Sequence, residues 1–271
     1  MRFVAALALL PLVCLTSPVL SQAPSLPQPD SVFLEDLTWM EVRDAIAAGR
    51  TTVIIPTGGT EQNGPHMALG KHNYLVHYKA GEIAKHLGNA LVAPVVAYVP
   101  EGEVSPPAGH MQYAGTITTP QDVFAKVLEY AARSFRQHGF QDIAFVGDSG
   151  GNQAGQKLVA EALNREWSGA KVRVHHITAY YPGRGDAYVE SQGVSAADVG
   201  SHAGTHDTSS LLYINPSMLR IDKFGLGRPG DGQGHIGNPA KATALFGKRI
   251  LEMQIEDATK QIQELRVSSR R

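Results

Sequence analysis

The sequence predicts an α/β fold, a three-layer α/β/α sandwich with a mostly parallel sheet, on the strength of two observations. Short apolar runs rich in β-branched residues alternate with longer segments of helical spacing, which is typical of strand–helix–strand units. The 271 residues are 43% hydrophobic and 18% charged, which is enough apolar material for one sizeable core. We therefore expect helices on both faces of the sheet.

Each predicted element has a local signature. The run TVIIP at residues 52–56 is typical of a buried parallel strand, and Gly139 is a stop signal for the helix before it. Apolar residues at helical spacing predict helices over residues 39–48, 74–87, 120–138, 152–167 and 240–265. Apolar runs predict strands over residues 52–56, 90–99, 142–146, 171–178 and 211–214.

The N-terminal residues form a segment of their own. Arg2 precedes an apolar stretch that two prolines interrupt, and small residues follow it. This pattern predicts a secretory signal peptide at 1–23, with an uncleaved N-terminal anchor as the alternative. A linker at 24–36 would then lead into a single domain at 37–271, and the mature protein would be periplasmic or secreted.

Charge and cysteine content limit the possible chemistry. The formal net charge of −1 gives no electrostatic footprint for nucleic acid or an anionic membrane, so a small neutral substrate is the simpler expectation. The one cysteine, Cys14, lies inside the predicted signal peptide. The mature chain would lack thiolate ligands, and any metal would have to be bound by His, Asp, Glu and water.

Three polar loops are expected beyond the carboxyl ends of strands, where open parallel sheets bind their ligands. They are residues 57–73, 147–153 and 200–209. The first carries Glu61, His66 and His72 among glycines, and one carboxylate with two imidazoles can converge on a cation of the zinc or manganese type. A polar surface loop, whose histidines cap helices or pair with Glu61, is the open alternative.

The second loop has the sequence GDSGGN at residues 147–152. Glycines at a strand-to-helix turn let backbone N–H groups approach an anion or an oxyanion. Asp148 could bind a metal or cap the following helix, and the cap is the favoured interpretation. Ser149 is not expected to be a nucleophile, because the GxSxG pattern is absent.

The third loop brings His202, His206 and Asp207 close together in the chain. Two imidazoles and a carboxylate can supply a general base and a metal ligand. The two histidines of the predicted strand at residues 171–178 are expected to have a packing role. His235 is expected on the surface or in a helix.

Five segments, in order, resemble the creatininase (creatinine amidohydrolase) family. The segments are EQNGPH at 61–66, His110 with GTI at 115–117, GDSGGN at 147–152, HAG at 202–204 with DTS at 207–209, and GNP at 237–239. They are similar, respectively, to the family's E-Q-H-G-P-H, E-H-x-x-x-P-G-T-I, N-x-H-G-G-N, H-A-G-E-x-E-T-S and G-D-P segments. Order and spacing agree over most of the predicted mature chain.

The resemblance implies a three-layer α/β/α fold, a hexameric assembly, and one or two divalent metals that activate water against an amide carbonyl. This chain departs from the family's pattern at five positions. Asn63 replaces a histidine, His72 replaces the bridging aspartate, and Ser149 replaces another histidine. In the third motif, Thr205 replaces one glutamate and Asp207 is a shortened version of the other.

Glu61 is kept as a metal ligand and His202 as the general acid or base. One metal is then feasible through Glu61, His72 and Asp207, with Asp148 or His66 as a further ligand, and loss of the metal is the open alternative.

Two hypotheses follow. The first is an exported amidohydrolase that cleaves the C–N bond of a small cyclic or linear amide with one divalent metal, zinc or manganese. Its predicted metal ligands are Glu61, His72, Asp207 and Asp148, and its predicted catalytic residues are His202, which moves the proton, and Asp207. Its predicted substrate-binding or oxyanion-binding residues are Asn63, His66, His110, Ser149, Gly150, Gly151 and Asn152. The second hypothesis is a metal-free family member that binds a small solute. The chain is expected to form a homo-oligomer, a hexamer by resemblance.

Overall fold

Four parallel strands form the centre of the structure, a computed structural model that describes residues 30–225 and 232–268. They are β1 (Thr52–Thr57), β2 (Ala90–Val92), β3 (Asp142–Gly147) and β4 (Arg173–His176). Their order in the sheet is β2-β1-β3-β4. β1 and β3 pair along their whole lengths, ending with Thr57 against Gly147. The loops that follow these two strands therefore start side by side at one edge of the sheet.

The helices of the described residues show the usual start and stop signals. Thr38 and Glu41 form a capping box at the start of the first helix, and the second and third end at the left-handed residues Gly88 and Gly139. The helices are α1 (Trp39–Ala47), α2 (Lys71–Leu87), α3 (Gln121–His138), α4 (Gly150–Glu166), α5 (Gly185–Ser191), α6 (Ala196–Val199), α7 (Thr205–Ile214) and α8 (Ala244–Ser268).

Alternate side chains of the strands enter two separate apolar layers. Ile54 and Val146 pack in a cluster with residues of α2, α7 and α8. Val53 and Phe145 pack on the other face with residues of α1, α3 and α4. Such alternation is what the pleat of a strand imposes. Helices thus cover both faces of a parallel sheet, which confirms the predicted α/β fold with its three layers.

Two predictions about the elements are wrong. Residues 211–214 do not form a strand but the end of α7, because a short apolar run does not distinguish a strand from a buried helix. The second strand ends at Val92 and does not extend to residue 99; Pro94, two residues on, has no N–H to donate to a neighbouring strand. In consequence the third polar loop leads from α6 into α7 and does not follow a strand.

The predicted signal peptide at 1–23 lies outside the described residues. From Ser31 onward, the described residues belong to one compact unit. Among the helices of residues 30–225 and 232–268, none has both the length and the apolar content required to span a bilayer.

The crossing of α7 and α8 depends on Gly247. A Cβ atom at this position would lie 1.9 Å from the carbonyl oxygen of Ser209 and 2.4 Å from its carbonyl carbon, both of which are backbone atoms. We expect Gly247→Ala to lower the free energy of unfolding by about 1–3 kcal/mol through overpacking, despite the higher helix propensity of alanine. Urea unfolding followed by circular dichroism measures this change.

Gly169→Ala is the matched control, because a Cβ atom there meets nothing within 4 Å. Its effect is expected to stay within about 0.5 kcal/mol. Equal stabilities of the two variants would show that the helix crossing does not depend on Gly247.

Candidate active site

A cavity of about 760 Å³ opens at the edge of the sheet where β1 and β3 end. The loops after both strands, the start of α2 and the loop before α7 surround it. Its lining includes the titratable side chains of Glu61, Lys71, His72, Glu101, His110, Asp148, His202 and Asp207. Seven of these eight residues lie in or beside the three polar loops and the His110 segment that the sequence singles out.

Glu61 is the residue around which the others gather. Its carboxylate is 2% exposed, with Oε1 2.8 Å from His72 Nε2 and Oε2 3.1 Å from His110 Nε2. Lys71 Nζ lies 3.5 Å from Oε1. Burial raises the pKa of Glu61, but the positive charges of His72 and Lys71 outweigh it and hold the pKa well below its usual range. Glu61 is therefore an ionised carboxylate in a nearly dry site.

The His72 imidazole bridges two carboxylates. From the first turn of α2, its Nε2 donates to Glu61 and its Nδ1 donates to Asp148 Oδ2 at 2.9 Å. Burial and the neighbouring Lys71 lower the pKa of His72, but the two carboxylates raise it further, to about 9. With both ring nitrogens protonated, His72 is a cation and has no lone pair for a metal.

Asp148 lies directly after β3 and accepts three hydrogen bonds. The donors are His72, Lys79 Nζ at 2.5 Å and the Tyr180 hydroxyl at 2.6 Å. Burial raises its pKa, but Lys79 and His72 outweigh it and lower the pKa to about 2. The favoured interpretation of Asp148 as the helix cap is wrong. Ser149 caps α4 instead, with its Oγ accepting from the Gly151 N–H at 3.3 Å.

Lys71, which is buried, forms an ion pair with the half-buried Asp207. Its Nζ is 3.0 Å from Asp207 Oδ2, and its side chain is 1% exposed. Asp207 Oδ2 also accepts from the Ala203 N–H at 2.7 Å. Burial raises the pKa of Asp207, but Lys71 outweighs it and holds the pKa well below its usual range. Sequence reasoning missed Lys71, although it lies between Gly70 and His72 in the first polar loop.

His202 and His110 also lie next to the Glu61 carboxylate, and both are neutral imidazoles. His202 Nε2 donates to the Gln62 carbonyl at 2.8 Å, which leaves Nδ1 with its lone pair, 3.6 Å from Glu61 Oε1. Burial and Lys71 lower the pKa of His202 to about 4, and burial lowers the pKa of His110. Neutral imidazole is the form that binds a metal.

Glu61, His110 and His202 together could hold a metal ion. One ligand atom from each lies within 4.8 Å of the others. His110 Nε2 lies 3.1 Å from Glu61 Oε2, and His202 Nδ1 lies 3.6 Å from Glu61 Oε1. Ligand atoms bound at 2.0–2.2 Å in a tetrahedral site lie about 3.3–3.6 Å apart, so these separations are close to those that a bound ion requires. Among the predicted ligands, Glu61 belongs to this group. His72 instead donates both of its N–H groups to carboxylates, and Asp148 and Asp207 accept hydrogen bonds from N–H or O–H donors.

The predicted substrate-binding residues fall into two groups. His110, Ser149, Gly150 and Gly151 line the cavity. Asn63, His66 and Asn152 do not line it; they are fully buried and bond to the backbone of the loops. Their donor atoms reach carbonyl oxygens of residues 61 and 68, of residue 203, and of residues 57 and 58, respectively. These three side chains therefore stabilise the conformation of the loops that form the site.

Glu101 and His235 also line the cavity and were not assigned there from the sequence. Glu101 is 5% exposed, and burial together with Glu61 raises its pKa to about 9. Its carboxyl group is therefore protonated beside the ionised carboxylate of Glu61. His235 is 2% exposed and lines the cavity, so its expected surface position is wrong. The sequence around Glu101 and around His235 contains no pattern that predicts the burial of these side chains.

The imidazolium of His72 makes stability sensitive to alkaline pH. A group whose pKa is higher in the folded than in the unfolded protein stabilises the fold. This stabilisation is complete when the pH is below the pKa of the unfolded state, and it is lost as the pH rises through the pKa of the folded state. We expect the free energy of unfolding to fall between pH 6.5 and about pH 9, by at most about 3 kcal/mol. Urea unfolding across this range measures it. His72→Gln should show a smaller fall, of which the remainder comes from Glu101, whose pKa is also raised to about 9. His77→Gln, which removes an exposed histidine of α2, should keep the whole fall.

Comparison with known proteins identifies the family. A creatinine amidohydrolase family model matches residues 35–262. The mycofactocin precursor peptide peptidase of Mycolicibacterium smegmatis is 29% identical over 232 residues, which cover 78% of this chain and 83% of the relative. The creatinine amidohydrolase of Pseudomonas putida is 24% identical over 202 residues, covering 71% and 75%.

Solved structures show the same fold. A Zn-Zn form of a creatininase variant has a TM-score of 0.69 at 21% identity, covering 86% of this chain and 98% of that one. A manganese creatininase has a TM-score of 0.70 at 22% identity, with the same coverage of this chain and of its own. The family match extends from before α1 into α8 and includes the whole cavity. The chain therefore belongs to the creatininase family, as a hydrolase of C–N amide bonds.

Proposed function

We propose that this protein hydrolyses the C–N bond of a small cyclic or linear amide with one divalent cation, zinc or manganese, bound by Glu61, His110 and His202. The observation that carries the proposal is the convergence of one ionised carboxylate and two neutral imidazoles in a cavity whose other carboxylates are already paired. The zinc and manganese in the solved relatives and the amide substrates named for the similar proteins support it.

The other residues of the cavity suit amide hydrolysis. A divalent cation held there would supply Lewis-acid polarisation and a more acidic water. The protonated carboxyl of Glu101, beside Glu61, can deliver a proton to a departing nitrogen. The N-terminus of α4, at Gly150 and Gly151, faces the cavity and favours negative charge on a bound oxygen. If His202 binds the cation, Glu101 replaces it as the group that moves the proton.

One observation favours the metal-free binding protein as the second candidate. Gln62 Nε2 donates to the Gly234 carbonyl at 2.6 Å and lies 3.0 Å from His110 Nδ1, so that the amide also donates to this nitrogen. His110 then carries its proton on Nε2, towards Glu61. In this state the cavity is a hydrogen-bonded pocket without a cation. Metal content distinguishes the two candidates directly.

We further propose export and assembly. The apolar N-terminal stretch supports cleavage near residue 23 and a periplasmic or secreted protein. The family resemblance supports a homo-oligomer, a hexamer. N-terminal sequencing of protein from the periplasmic fraction tests the first statement, and light scattering of the purified protein tests the second. An intact Met1 or a monomer would contradict the respective statement.

Glu61→Gln tests the cation site. Glu61 is the only carboxylate among Glu61, His110 and His202, the trio that would bind the cation. Because it loses its charge, we expect the bound cation to fall from about one equivalent per chain to near zero. Hydrolysis of lactams, formamides and small amides should fall to background with it. Elemental analysis of protein purified without chelator measures the first effect. Unchanged cation content in the folded variant would contradict the site.

His202→Asn separates the two possible roles of this histidine. As a ligand, His202 is required for binding, so the variant should lose most of the cation as well as the activity. A general acid or base would instead leave the cation in place and reduce turnover by about 10²–10⁴-fold. His86→Asn, which changes an exposed histidine of α2, is the control and should keep both.

A further inference from the structure

The buried charges of the cavity compensate one another without any ion. The carboxylates of Glu61, Asp148 and Asp207 are each bound by a cationic side chain of α2. Lys79 forms an ion pair with Asp148. His72 lies between Glu61 and Asp148, and Lys71 lies between Glu61 and Asp207. A charged lysine is almost never fully buried unless it is paired, and an ammonium is a compact charge that several oxygens can share.

The place of the Lys71 ammonium is one that a metal ion could take. Its Nζ is 3.0 Å from Asp207 Oδ2 and 3.5 Å from Glu61 Oε1. The Glu61 side chain is 2% exposed and the Asp207 side chain 22% exposed, so a cation could reach the site from the Asp207 side. Without this ammonium, the buried carboxylate of Glu61 and the half-buried carboxylate of Asp207 would face each other with too little positive charge between them. Carboxylate oxygens so arranged are a common donor set for zinc and manganese.

We infer that the Lys71 ammonium occupies a latent second metal site between Glu61 and Asp207, and so limits this protein to one cation. This inference rests on the proposed function, in which Glu61, His110 and His202 bind that one cation. Lys71 is then a positioning residue: it holds the Asp207 carboxylate against the Ala203 N–H and away from the trio. Removal of the ammonium should open the site.

Lys71→Met tests the inference, because methionine keeps an apolar side chain in the buried space and removes the charge. We expect the variant to bind about one more equivalent of zinc or manganese than the wild type. Added Zn²⁺ should also raise its melting temperature more than that of the wild type. Lys71→Arg retains the positive charge and should show neither gain. Lys85→Met, at an exposed lysine of α2, should behave as the wild type.

The double variant Lys71→Met/Asp207→Asn identifies the oxygens involved. It removes both members of the ion pair, so it should fold and should bind no extra cation. A folded Lys71→Met protein with wild-type cation content, or an extra cation that persists in the double variant, would overturn the inference. If Lys71→Met does not fold alone, refolding with Zn²⁺ or Mn²⁺ should restore it, and failure to do so would also overturn the inference.

The two proposals fail in different ways. A wild-type protein without bound cation counts against the proposed function. The difference in cation content between Lys71→Met and the wild type tests the latent site whatever the wild type binds. Elemental analysis and melting curves of the same preparations give both answers without a substrate.

Discussion

The carboxylate of Glu61 is buried and ionised, and its charge has to be compensated within the protein. The compensation comes from α2, which presents Lys71, His72 and Lys79 to the site. Residues seven positions apart lie on one face of a helix, which explains why His72 and Lys79 reach the same carboxylate of Asp148. The position of α2 against the sheet is thus coupled to the charge state of the cavity.

This arrangement goes against an ordinary rule of helix stability. The first turn of a helix favours acidic residues, yet α2 begins with Lys71 and His72, has no acidic residue there, and receives no side-chain cap from Gly70. Two cations at a helix N-terminus cost about 0.3–1 kcal/mol each. Local violations of this kind are expected where a site requires them, and here the carboxylates of Glu61 and Asp207 supply the opposing attraction.

The sequence predicted the parts of the molecule that depend on local pattern. Alternating strands and helices and the polar loops after β1 and β3 follow from periodicity and turn residues. The pairing of side chains did not follow, because it depends on burial and on direction. Asp148 turns back towards His72 and leaves the cap to Ser149, and Lys71 is enclosed although lysine is usually a surface residue. Neither fact is encoded in the spacing of the residues.

The charge balance bears on how the proposed site for one cation would act on amides. Three ionised carboxylates meet three cationic side chains, and the imidazoles of His110 and His202 and the carboxyl of Glu101 are neutral. The cavity is therefore close to electrically neutral before any ion binds. A divalent cation in the trio would leave it with an excess positive charge, which favours a hydroxide ion or an anionic carbonyl oxygen over their neutral forms. In the proposed function, the internal ammonium and imidazolium would thus let a single cation supply the excess positive charge.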